Sequence, residues 1–74
     1  MDAHAAALAE TAQALAELQE RVRRGSLAAR TATIPENEHE ARRWASWRSR
    51  LAFIDAALDE LRRELANWME STLP

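Results

Sequence analysis

The stretch WASWRSRLAFIDAALDELRRELANW, residues 44–68, decides the fold of this 74-residue chain. Its large apolar side chains recur at unbroken, alternating intervals of three and four residues. They are Trp44, Trp47, Leu51, Ile54, Leu58, Leu61, Leu65 and Trp68. This spacing places all of them on one side of an α-helix and is typical of helices that pack against other helices. The stretch therefore predicts a long amphipathic helix with at least one helical partner.

The start of this helix is predicted from the residues before the stripe. Thr33 and Glu36 have the spacing of a capping box, in which each side chain accepts a hydrogen bond from the backbone N–H of the other residue. Pro35 would lie in the first turn, where its missing N–H does no harm. We therefore expect helix 2 to cover about residues 34–71.

A first helix is predicted over about residues 2–24, because Leu8, Leu15, Leu18 and Val22 fall on one side of it. Gly25 is the only glycine and follows a run of Arg, which indicates a helix end. The connection, residues 25–33, has a length typical of an antiparallel hairpin.

The composition favours one small all-α domain. Ala occurs 17 times, Gly once and Pro twice, so helix formers dominate. Residues 1–74 are expected to form a single helical-hairpin domain. The Ala-rich first helix offers too little apolar surface to cover the second, so we expect two hairpins to associate as a homodimeric four-helix bundle. The side chains expected to form the self-association stripe are Leu8, Leu15, Leu18, Val22, Leu51, Ile54, Leu58, Leu61, Leu65 and Trp68.

Several function classes lose support from the residues present. The chain has no Cys, so disulfides and Cys-based zinc sites are excluded. His39 has no second His four residues on, and there is neither a Gly-rich phosphate loop nor a Ser with a nearby base. We expect no enzyme activity, no cofactor, no metal and no small-molecule substrate. We also expect a cytoplasmic protein without a membrane span, because no signal peptide or long apolar run is evident.

The Arg side chains are concentrated in the middle of the chain. Residues 21–50 hold eight Arg and three Glu, although the whole chain has a net charge of −2. All ten basic residues are Arg, which together with the Ala content indicates a GC-rich bacterial or phage genome. Several Arg could pair with a Glu four residues earlier, as in Glu17–Arg21, Glu20–Arg24 and Glu38–Arg42. The Arg without an obvious local acid are Arg23, Arg30, Arg48 and Arg50.

The aromatic residues are open to two interpretations. The three Trp lie on the stripe and are interpreted chiefly as packing residues; the alternative is a platform on which nucleic-acid bases stack, and Trp44 is the one expected to remain most available. Phe53 lies off the stripe, either as part of a second contact surface or as an isolated exposed aromatic.

These features predict a small protein–protein interaction module, an adaptor, chaperone or inhibitor that covers a site on a partner protein. The candidate partner-binding residues are Trp44, Trp47, Arg48, Arg50 and Phe53. Two alternatives remain open. One is a small dimeric nucleic-acid-binding protein that uses the basic loop end. The other is a structural subunit of a larger assembly such as a phage particle.

Overall fold

The computed structural model describes residues 3–72, with side chains up to residue 71. Two helices account for nearly all of them: α1 spans Ala3–Thr31 and α2 spans Glu38–Thr72. They lie antiparallel and form a rod of 57 × 15 × 15 Å. No strand occurs in this part of the chain, so the predicted all-α hairpin is confirmed. Within the same residues, neither helix has an apolar stretch long enough to cross a membrane.

The predicted end of α1 at residue 24 is wrong, because the helix continues through Gly25 to Thr31. The predicted first residue, Asp2, lies outside the described residues. Gly25 keeps a negative φ and does not adopt the left-handed conformation of a helix stop. Two factors outweigh the cost of about 1 kcal/mol for a helical Gly. The following residues are mostly good helix formers, and Ala29 is buried against α2.

The predicted start of α2 near residue 34 is also wrong, because the helix begins at Glu38. Asn37 caps it: the backbone N–H of Glu40 donates to Asn37 Oδ1 at 3.2 Å, and the N–H of Ala41 donates to the Asn37 carbonyl at 2.8 Å. The short amide side chain of Asn is a strong N-cap. The box predicted at Thr33 does not form, and Pro35 disfavours a helical conformation at Ile34. The connection is therefore residues 32–37, shorter than the predicted 25–33.

The interface between the helices follows a seven-residue repeat on both sides. The row of α1 that is at least half-buried consists of Ala5, Leu8, Ala12, Leu15, Gln19, Val22, Ser26 and Ala29. The corresponding row of α2 consists of Ala41, Trp44, Arg48, Leu51, Asp55, Leu58, Arg62, Leu65 and Met69. The buried apolar residues in the described chain are Ala29, Leu58 and Leu65. The core of one hairpin is therefore thin, and polar residues occupy part of it.

Candidate interaction surface

The predicted stripe of α2 divides into two rows with different surroundings. The inner row faces α1 and consists of Trp44, Leu51, Leu58 and Leu65. The outer row is turned away from α1 and consists of Trp47, Ile54, Leu61 and Trp68. Rows that are three and four residues apart can share one partner helix, but α1 covers the inner row together with a different row, and the outer row lies outside the interface. On α1, Leu8, Leu15 and Val22 are half-buried against α2, whereas Leu18 is exposed.

Arg48, Asp55 and Arg62, which lie seven residues apart on α2, form the second row that faces α1, beside the inner row. We call them the polar row. Gln19 of α1 lies against this row and is only 1% exposed. Its Nε2 donates to Asp55 Oδ1 at 3.2 Å and to the Asp55 carbonyl at 3.3 Å, and its Oε1 accepts from Arg62. A buried amide needs such partners, so this layer determines which side of α2 faces α1.

A cluster of ion pairs among Arg23, Asp55, Asp59 and Arg63 lies along one flank of the hairpin, which we call the polar flank. The Nε of Arg23 donates to Asp55 Oδ1 at 2.9 Å, and its guanidinium lies 3.9 Å from Asp59 Oδ1. Asp59 also pairs with Arg63. Arg23, which had no obvious acid in its own helix, therefore finds its acids across the interface. The polar flank lies on the side of the interface opposite to the outer row.

The outer row leaves large apolar side chains in solvent. Trp47 is 50% exposed, Ile54 42%, Leu61 47% and Trp68 59%. Leu18 of α1, 49% exposed, lies on the same flank as this row, because it precedes Gln19 as Leu61 precedes Arg62. Isolated exposed apolar residues are ordinary, but a continuous row along a helix is typical of an interaction surface. We call the outer row together with Leu18 the apolar flank.

Phe53 is the most exposed large apolar side chain in the described chain, at 76%. It borders a shallow groove with Ser46, Ser49, Arg50 and Ile54. Ser49 also borders a second groove, which is lined by Ser26, Arg30, Ala45, Arg48, Ala52 and Asp55. Ser49 therefore connects Phe53 to two Arg across a strip of small side chains. We call the area from Phe53 through Ser49 and Ala52 to Arg48 and Arg30 the Phe53 surface.

The Arg side chains divide into paired and unpaired groups. The predicted pairs Glu20–Arg24 and Glu38–Arg42 form at 3.2 and 2.7 Å. Glu17 and Arg21 form no ion pair in the described part of the chain. Within residues 3–72, Arg30, Arg48 and Arg50 also have no acidic partner. Arg48, a candidate partner-binding residue, is half-buried.

Trp44 differs from the expectation that it would remain the most available of the three Trp. It is half-buried in the inner row, and its indole N–H is buried without a hydrogen-bond partner among the described residues. The five candidate partner-binding residues thus do not form one surface. Trp44 lies in the interface and Trp47 in the apolar flank. Arg48 and Phe53 lie in the Phe53 surface, and Arg50 lies between Phe53 and the outer row.

The contribution of Gln19 and the polar row was missed by reading the sequence, although a signal was present. Arg48, Asp55 and Arg62 repeat every seven residues, alternate in charge and immediately follow the outer-row residues. Either the polar row or the outer row could face α1 beside the inner row. The hydrogen bonds that Gln19 makes with Asp55 and Arg62 decide that the polar row does.

Comparisons with known proteins found no match for this chain. It matches no protein-family model, no curated protein and no solved structure. Its function is therefore argued from its own surfaces.

Proposed function

We propose that this chain is a non-enzymatic protein–protein interaction module, an adaptor, chaperone or inhibitor that covers a site on a partner protein. We also propose that it acts as a homodimeric four-helix bundle. The observation that carries the proposal is the Phe53 surface, on which a 76% exposed Phe lies beside small side chains and two Arg that have no acidic partner in residues 3–72.

The chemistry of the Phe53 surface supports a protein as its ligand. Aromatic and Arg side chains are common anchors of interfaces, because they combine apolar area with directional hydrogen bonds. The small side chains of Ala45, Ser49 and Ala52 allow another backbone to approach closely. An amphipathic segment with one apolar side chain for Phe53 and one carboxylate for Arg48 or Arg30 fits this surface.

The mechanism we propose is occlusion by a preformed helical face. Both helices are regular over the described residues, so the Phe53 surface needs no folding step before it binds. A small protein of this shape hides the part of its target that it covers. The target then loses access to its other ligands.

The thin core supports the proposed association into a bundle. Few apolar residues of the described chain are buried within one hairpin, while the apolar flank remains in solvent. A second hairpin on that flank would remove this apolar area from water and leave open the part of the Phe53 surface toward Arg48 and Arg30.

The test is capture of a partner by the tagged chain, followed by titration of the purified partner against matched variants. We expect Phe53→Ala and Arg48→Glu each to weaken binding by about tenfold or more, the loss typical of a central anchor. The control is Arg21→Glu, which makes the same charge change at an exposed Arg without an ion pair and should have little effect. Circular dichroism should show the same helix content for all four proteins.

The Arg30–Arg48 groove also favours one alternative, a nucleic-acid-binding protein. In that case binding to DNA or RNA would fall steeply with salt, and Arg21→Glu would weaken it along with Arg48→Glu, while Phe53→Ala would have little effect.

If Phe53→Ala and Arg48→Glu bind the captured partner as tightly as the original chain, the Phe53 surface is not the binding site and the proposal fails.

A further inference from the structure

The spacing of the outer row indicates which kind of secondary structure would pack on it. Its four residues lie seven apart, and the two Trp stand at the ends with Ile54 and Leu61 between them. A seven-residue repeat follows the contact line of two supercoiled helices. The occupant is therefore a helix of comparable length. The order of side-chain sizes along the row is the same in both directions, so the row can pair with an antiparallel copy of itself.

We infer that the occupant is α2 of a second copy of this chain, which lies antiparallel about a twofold axis near Ala57. This deepens the proposed association by naming its geometry. Trp47 then lies against Trp68 of the second copy, and Ile54 against Leu61 of the second copy. A twofold interface brings each such contact twice, so two kinds of contact account for the whole row.

The charges beside the outer row select the antiparallel arrangement. Arg50 and Glu64 lie on the same side of the row, seven residues before and after Ala57. Both are exposed, and neither forms an ion pair in the described part of the chain. An antiparallel copy brings Arg50 next to Glu64 of the second copy, twice by symmetry. A parallel copy would instead bring Arg50 next to Arg50 and Glu64 next to Glu64, which is repulsive.

Two further residues agree with this geometry. Ala57, midway between the two charges, meets its own copy at the axis, where its small side chain allows the helices to approach closely. Leu18 of α1, on the same flank as the outer row, becomes covered by the second hairpin. The polar flank with Arg23 and Asp59 stays in solvent on the far side.

The test is solution mass over a range of protein concentrations, by light scattering or sedimentation, for charge-exchange variants. We expect the original chain to be a dimer. Arg50→Glu and Glu64→Arg should each raise the dissociation constant by about tenfold, because each replaces two attractive pairs with two repulsive ones. The double variant Arg50→Glu/Glu64→Arg restores both pairs with their signs exchanged, so its dissociation constant should return to within about threefold of the original.

A control variant separates this inference from the rest of the proposed function. Arg21→Glu changes the charge on an exposed part of α1 and should leave the dimer unchanged. If the original chain is a dimer and neither single exchange weakens it, the hairpins associate by another surface or another alignment. This inference then fails, while the proposed association stands. If the chain stays a monomer at every concentration, both the association and this inference are wrong, and binding through the Phe53 surface is still judged by its own variants.

Discussion

Gln19 and Asp55, which are 36 positions apart in sequence, are joined by two hydrogen bonds across the middle of the hairpin. The Gln19 amide donates to both the carboxylate and the backbone carbonyl of Asp55, at 3.2 and 3.3 Å. Asp55 also accepts a hydrogen bond from Arg23, so two side chains of α1 bind the same residue of α2. A rotation of α2 that brought the outer row onto α1 would leave this amide buried without partners. The polar layer therefore opposes the alternative packing that the apolar spacing favours.

The first prediction concerns Gln19 itself. Gln19→Ala removes the donor to Asp55 and the acceptor for Arg62, and we expect it to lower the free energy of unfolding by about 1–3 kcal/mol. Urea denaturation followed by circular dichroism, at one fixed protein concentration, measures this. Gln13→Ala, at an exposed Gln of the same helix, is the matched control and should change stability by less than about 0.5 kcal/mol. Equal effects of the two substitutions would mean that the Gln19 bonds contribute nothing measurable.

The second prediction concerns Gly25, which lies within α1 where the sequence pattern indicated a helix end. A Cβ at Gly25 would meet no atom within 4 Å beyond its chain neighbours and the adjoining helix backbone, and the residue has no positive φ. Gly25→Ala should therefore raise the free energy of unfolding by about 0.5–1 kcal/mol, since Ala loses less backbone entropy in a helix. Thermal or urea unfolding of the hairpin would check this.

The reciprocal change serves as its control. Ala28→Gly, at an exposed position one turn further along α1, should lower stability by a similar amount. A loss of stability in Gly25→Ala would instead support a left-handed residue there and a helix that ends at residue 24.

The third prediction compares two positions for the cap of α2. Asn37→Ala removes the side-chain acceptor of the Glu40 N–H and should cost about 0.5–2 kcal/mol. Asn37→Asp keeps an acceptor oxygen at the same place and should retain most of the stability. Thr33→Ala, at the position that the sequence pattern favoured, should have little effect. The reverse order, a costly Thr33→Ala and a neutral Asn37→Ala, would place the start of the helix at the capping box.

The class of the fold was predictable from local patterns. Helix is favoured by the unbroken three-and-four spacing from Trp44 to Trp68 and by the scarcity of Gly and Pro. A hairpin is favoured because this pattern is interrupted once, between Gly25 and Pro35. The helix ends were not predictable to the same degree. Gly25 is compatible with both a helix stop and a helix interior, and Thr33 and Asn37 are both good caps. Such local alternatives differ by about 1 kcal/mol, so contacts with the other helix are enough to decide between them.

The sequence by itself determined two long helices, a hairpin topology and an excess of apolar side chains on α2. Only the tertiary structure decided which side of α2 faces α1. Either the outer row or the polar row of α2 could face α1, and only the polar row offers hydrogen-bond partners to the buried amide of Gln19. As a result Leu51, Leu58 and Leu65 face α1, while Ile54, Leu61 and Trp68 remain exposed. Hydrogen bonding is directional and apolar burial is not, so one polar residue on the shorter helix determines which apolar surface the protein presents.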